Sequence, residues 1–123
     1  MDSIRVWIVE DDPDWLRGLV AYLNKEPDIK VVWTASRAED VRQALLEGKQ
    51  QSMPADVVLM DIMLEGRPEG VLLAEETAVS TGARVIMLTS MEEKELIFRS
   101  FQAGAIDYQI KSDFESLPDA VRS

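Results

Sequence analysis

The 123-residue chain contains no cysteine and no histidine. Those two absences exclude disulfides, cysteine nucleophiles, histidine general bases and most zinc or copper sites. Positive charge is also scarce: 13 Lys and Arg stand against 23 Asp and Glu, for a formal net charge of −10. Neutralising phosphates needs clustered Lys and Arg, so this chain is not expected to bind nucleic acid. No apolar run approaches the roughly 20 residues of a membrane span. The start "MDSIRVW" lacks the basic region and long apolar segment of a secretory signal, so a cytoplasmic setting without membrane contact is expected. Neither a G-x-G-x-x-G turn nor a P-loop is present, which disfavours nucleotide-binding enzymes. Any chemistry must therefore rest on carboxylates, hydroxyls and amines. The suited metals are the oxygen-loving Mg²⁺ or Mn²⁺.

What is present is an ordinary globular balance, 46% hydrophobic and 29% charged, in a length that suits one domain and one core. Short runs rich in β-branched residues fall at Ile4–Val9, Ile29–Ala35, Asp56–Met60, Arg84–Leu88 and Asp107–Ile110. The first, third and fourth are apolar at nearly every position, as strands buried on both faces of a parallel sheet are. Between them lie helical stripes: Trp15, Leu16, Leu19, Val20 and Leu23; Val41, Ala44 and Leu45; Leu72, Leu73, Glu76 (a polar interruption) and Val79; and Leu96, Ile97 and Phe101.

Asp12-Pro13 marks one helix start, a capping acid before proline at the first helical position. Ser36–Glu39, Ser90–Glu93 and Ser112–Glu115 fit the S-x-x-E capping box. Gly48, Gly82 and Gly104 mark helix ends. The pattern is five strand-then-helix units, hence an α/β fold with helices on both faces of a parallel sheet. The final helix would begin near Asp113 and meets Pro118 in its early turns. Its shortness suggests a segment of a longer protein.

Three carboxylates in succession, Glu10-Asp11-Asp12, end the first apolar strand. Two unit charges about 4 Å apart repel by roughly 4 kcal/mol at an effective dielectric of about 20, so something should offset them. In an open parallel sheet, ligands bind beyond the carboxyl ends of the strands, where strand order reverses. The third strand ends in Asp61, the fourth in Thr89-Ser90 and the fifth at Lys111. In the order 2-1-3-4-5 the first and third strands flank the switch point. Glu10, Asp11 and Asp61 then meet, with Thr89 and Lys111 close by. A hard divalent cation would relieve the repulsion. A metal beside a lysine also suits a phosphoryl group, and one carboxylate could act as its nucleophile. Taken singly, each residue has a plainer explanation. Asp12 reads as a helix cap, Ser90 as a box residue, Lys111 as a surface lysine, and Met60, Met63 and Met87 as packing.

The set "VEDDP", "VLMDIML", "MLTS" and "AGAIDYQIKS" resembles the receiver domain of bacterial two-component response regulators, across essentially residues 1–123. The resemblance implies a flavodoxin-like (βα)₅ fold, doubly wound, with a five-stranded parallel sheet in the order 2-1-3-4-5. It implies Asp61 as phosphoacceptor, and a Mg²⁺ (or Mn²⁺) ion held by Asp11, Glu10, Asp61 and the backbone carbonyl of Met63. Lys111 would hold the phosphoryl oxygens. Thr89 would move toward the phosphorylated group, and Tyr108 would turn inward after it. Ser90 matches the small residue that keeps the site open. The implied partners are a histidine kinase, an output domain of the same protein, and a second copy when phosphorylated. The stretch "LVAYLNKEPDIKVVWTASRAEDV" resembles receivers that precede a LuxR-type helix-turn-helix, so a DNA-binding output domain beyond residue 123 is expected, with control of transcription.

Two departures stand out. Glu65 takes the place where many receivers have proline, within a loop "LEGRPEG" about one residue longer than usual, so the segment carrying Met63 is expected to sit differently. Ser112 follows Lys111 where proline is common, and a trans peptide is expected there, because cis without proline costs about 2.5–4 kcal/mol. Two other readings are weaker. A phosphatase or phosphotransferase with an aspartate nucleophile would need an acid two residues after it, where Met63 stands. A degenerate receiver that only binds proteins would not need the intact acid–lysine set.

Overall fold

The computed structural model describes residues 2–90, 94–102, 104–105 and 107–123. The strands are β1 (Ile4–Val9), β2 (Ile29–Ala35), β3 (Val57–Asp61), β4 (Arg84–Thr89) and β5 (Asp107–Ile110). All neighbouring pairs are parallel and the sheet order is β2-β1-β3-β4-β5, as expected. The helices are α1 (Pro13–Asn24), α2 (Ala38–Leu46), α3 (Lys49–Ser52), α4 (Glu69–Thr81), α5 (Lys94–Gln102) and α6 (Leu117–Arg122).

Successive residues of a strand point to opposite faces, so each near-continuous apolar run feeds two cores. Val6, Ile8, Val57, Leu59, Ile86 and Leu88 pack with Leu19 and Leu23 of α1 and Leu117, Ala120 and Val121 of α6. Trp7, Val9, Val58, Met60, Val85 and Met87 pack on the other side, with Val41 of α2 and Leu73 and Ala74 of α4. Trp7 is fully buried; its indole N–H donates to the Met53 carbonyl (2.8 Å) and its ring meets Trp33 edge-on at 4.9 Å. A buried indole needs such an acceptor.

Asp12 caps α1 as expected: its carboxylate accepts from the backbone N–H groups of Asp14 (2.9 Å) and Trp15 (3.3 Å), with Pro13 in the first turn. The Lys111–Ser112 peptide is trans. Several local expectations need correction. The Ser36 capping box does not form. Arg37 occupies the cap position without a side-chain cap bond, because β2 runs on to Ala35 and the helix begins only at Ala38. The Ser112 box does not form either. Lys111–Ser116 winds as a 3₁₀ stretch, with Asp113 off helical geometry at φ −103° and ψ 39°. The α-helix starts afresh at Leu117, where Pro118 fits the first turn because its missing N–H would have no partner there. The box at Ser90–Glu93 and the Leu96 side chain lie outside the described residues. The short α3, which follows Gly48 at φ 80°, had no signal in the hydrophobic pattern.

The α4 stripe is also rotated from expectation. Leu72 is 64% and Val79 82% exposed, while Gly70, Val71, Leu73, Ala74 and Thr77 face inward. Gly70 is the reason. A β-carbon there would stand 1.9 Å from the Asp61 backbone oxygen, so the bare face of the helix lies directly on the end of β3. With position 70 inward, 73, 74 and 77 follow at helical spacing.

Candidate functional site

The site lies at the carboxyl edge of the sheet, where β1 and β3 run side by side and their connections leave toward opposite faces. Val9 pairs with Met60, so the residues just beyond, Glu10 and Asp61, emerge together. By strand alternation both carboxylates are in step with Ile8 and Leu59, on the α1 and α6 side. Carboxylate oxygens of Glu10, Asp11 and Asp61 all lie within 4.8 Å of one another. Glu10 is fully buried and Asp61 only 4% exposed, whereas Asp11 is partly open to solvent. Asp12, the third of the acidic run, faces away and caps α1.

Lys111 enters from the end of β5. Its ammonium donates to Asp61 Oδ2 at 2.8 Å and forms an ion pair with Glu10 Oε1. The side chain is only 10% exposed. Backbone N–H groups hold three of the other carboxylate oxygens: Met63 donates to Asp61 Oδ1 (3.0 Å), Glu65 to Asp11 Oδ2 (3.0 Å) and Asp12 to Glu10 Oε2 (3.2 Å). The Glu65 contact comes from the lengthened loop. Leu64 and Arg67 exchange backbone hydrogen bonds of 2.8 and 3.1 Å around Glu65 (φ 56°) and Gly66 (φ 76°), the pattern of a type I′ turn.

Burial, and then the neighbouring Asp61, push the Glu10 carboxyl up to about 8, against the pull of Lys111. Burial alone would lower Lys111. Its hydrogen bonds to Asp61 and Glu10 outweigh that, and the ammonium is held above its ordinary value. With all three carboxylates ionised, one ammonium leaves the site two charges short of neutrality, a deficit that one divalent cation would fill. The donor set is all oxygen, which suits a hard cation of the Mg²⁺ type.

Thr89 ends β4, one residue past Leu88, whose partner across the sheet is Asp61. Its side chain is buried, while Ser90 just beyond is exposed. Tyr108 pairs with Met87 in the sheet, and its half-buried ring meets Phe101 of α5 edge-on at 6.4 Å. Glu10, Asp11, Asp61 and Lys111 thus converge, and Thr89 and Tyr108 lie along the adjoining β4–β5 flank. Three contributors escaped the sequence reading. The Glu65-Gly66 dipeptide carried a turn signal that could have shown the loop closing on Asp11. Gly70 and the Trp15 ring, which lies over Lys111, left no local pattern to find.

A flavodoxin-like doubly wound sheet with an acid–lysine cluster at its switch point defines the class. Within that class, the chain belongs to the response regulator receiver domain family, whose model matches residues 6–122. It is 32% identical to the transcriptional regulatory protein LiaR of Bacillus subtilis (strain 168), over 98% of this chain and 55% of LiaR. It is 33% identical to the transcriptional regulatory protein DesR of the same organism, over 98% of this chain and 57% of DesR. The chain therefore spans about half the length of the curated relatives it matches. Among solved structures, a LuxR-family two-component response regulator from Aurantimonas sp. SI85-9A1 superposes with a TM-score of 0.83 at 26% identity, covering 98% of this chain and 84% of that one. The response regulator domain of Thermotoga maritima CheB shares the fold, with a TM-score of 0.81 at 23% identity over 98% and 94% of the two chains. No described helix is long and apolar enough to cross a membrane.

Proposed function

We propose that this domain is a phosphorylation switch in which Asp61 accepts a phosphoryl group from a histidine kinase. The observation that carries this reading is the buried Asp61 carboxylate, held by Lys111 and the Met63 N–H beside the acidic pair Glu10 and Asp11. An Asp61 oxygen attacks phosphorus while the bond from phosphorus to the donor histidine nitrogen breaks. The leaving imidazole keeps the electron pair and takes a proton from solvent. Lys111 would exchange its Asp61 contact for phosphoryl oxygens, a role supported by its 2.8 Å hydrogen bond to Asp61 Oδ2. Mg²⁺, or Mn²⁺, would be held by Glu10, Asp11, Asp61 and the Met63 carbonyl. When bound, it supplies charge neutralisation for the incoming phosphoryl oxygens.

Thr89 then contacts the new oxygens and Tyr108 follows it inward, so that differential contacts favour a second conformation of the β4–β5 flank. The domain is an acceptor rather than a turnover enzyme. The readout is a DNA-binding output domain of the same protein that controls transcription, a reading supported by relatives named as transcriptional regulatory proteins, with homodimerisation of the phosphorylated form and a cytoplasmic setting. Its own charge of −10 keeps the receiver itself off nucleic acid.

Incubation with a small phosphodonor and Mg²⁺, followed by intact mass, tests the reading. One added phosphoryl group is expected, and none in Asp61→Ala. Addition that survives that substitution would refute it.

A further inference from the structure

Lys111 stands at the start of the 3₁₀ stretch that follows β5, on a flexible four-carbon stem. An ammonium has three N–H donors, and Glu10 and Asp61 engage two directions. The Lys111 nitrogen also lies over the ring of Trp15, 5.7 Å from its centroid, within the range of a cation–π contact. Trp15 is itself well placed to act as a fixed wall. It sits in the first turn of α1, where the Asp12 carboxylate holds its backbone N–H at 3.3 Å. Its half-buried ring packs against the α1–α6 core and shares a groove with Tyr22 and Phe114.

We propose that Trp15 is a positioning residue for Lys111: its ring covers the ammonium face that Glu10 and Asp61 leave open, and so keeps the amine aimed at Asp61 during phosphoryl uptake. The inference rests on the switch reading above. It extends that reading to an aromatic residue outside the acidic cluster, whose ring lies against Lys111. Its physical content is specific. Glu10 and Asp61 hold the ammonium by two contacts, and without the ring the flexible stem could swing toward solvent beside α1. The aromatic face makes the inward rotamer the favoured one.

The test uses Trp15→Leu, which keeps apolar bulk and removes the π face, and Trp15→Phe, which keeps a smaller one. In the wild-type protein, without phosphodonor, the ε-methylene protons of Lys111 are expected upfield of ordinary lysine by ring current. They should return toward the ordinary value in Trp15→Leu. With Mg²⁺ and a small phosphodonor, Trp15→Leu is expected to take up the phosphoryl group about three- to tenfold more slowly than wild type, and Trp15→Phe to stay within about twofold. Equal uptake rates in the two variants, or wild-type Lys111 protons at ordinary positions, would overturn the proposal. The proton measurement needs no variant to fold. A wild-type domain that takes up no phosphoryl group would fail the switch reading first, before any substitution at Trp15 is compared.

Discussion

A β-carbon at position 70 would stand 1.9 Å from the Asp61 oxygen and 3.0 Å from the Ile62 α-carbon, both backbone atoms. Gly70→Ala is therefore expected to cost about 1–3 kcal/mol, since backbone must move to admit the methyl group. Urea unfolding measures it; an unchanged midpoint would mean that α4 slides away freely. No neighbouring residue in the sequence announces this contact, because it joins a helix start to a strand end through space. The acidic run was more open to reading. Asp12 declared itself as a cap through the following proline, which left Glu10 and Asp11 for the site. That Lys111 reaches both Glu10 and Asp61 could only be expected as nearness. The ion pairs depend on how β5 is set against β4 and how far the side chain extends.

Among the elements, strands were more legible than helix ends. β1, β2 and β5 have the bounds expected from their apolar runs, β3 is shifted by one residue to start at Val57 and end in Asp61, and β4 runs one residue further, into Thr89. A buried strand is encoded by residue type at every position, whereas a capping box is a short pattern that a neighbouring strand can override, as β2 does at Ser36. At the other end of the chain, α6 is too short to hold itself by helical propensity. It is tied down through Arg122, which bonds Asp28 at 2.8 Å twice and Glu26 at 2.8 Å, both in the turn between α1 and β2. The Arg122 hydrogen bond holds the Asp28 carboxyl below its ordinary value. A depressed carboxyl contributes stability above its unfolded value, about 3.9, and loses it as pH falls through the folded value. The stability difference between wild type and Arg122→Ala should therefore be present at neutral pH and shrink below about pH 4. Thermal unfolding at both pH values checks this; a difference that persists in acid would show that packing of the arginine stem, not the ion pair, is what anchors α6.

For the whole molecule, the site is an electrostatic load carried by the fold. Glu10 is buried with its carboxyl raised, and two more carboxylates lie against it. Binding Mg²⁺ should relieve this and stabilise the domain, by about 2.7 kcal/mol at one hundred times the dissociation constant. The expected signature is a melting temperature that rises with Mg²⁺, falls back on adding EDTA, and does not respond in Asp11→Asn. A wild-type domain indifferent to Mg²⁺ would argue against the metal site. The sequence by itself determined the α/β class and put Glu10, Asp11, Asp61, Thr89 and Lys111 at strand ends on one edge, while the strand order was what the receiver resemblance implied. Periodicity and strand-end chemistry are local, and parallel topology leaves few ways to arrange five such units. Only the tertiary structure decided how α4 is turned, how the Glu65–Gly66 turn reaches Asp11, and which ring lies over Lys111. Those outcomes depend on close packing between segments far apart in the chain. There, tenths of an ångström separate contact from overlap, and no pattern within a single segment records them.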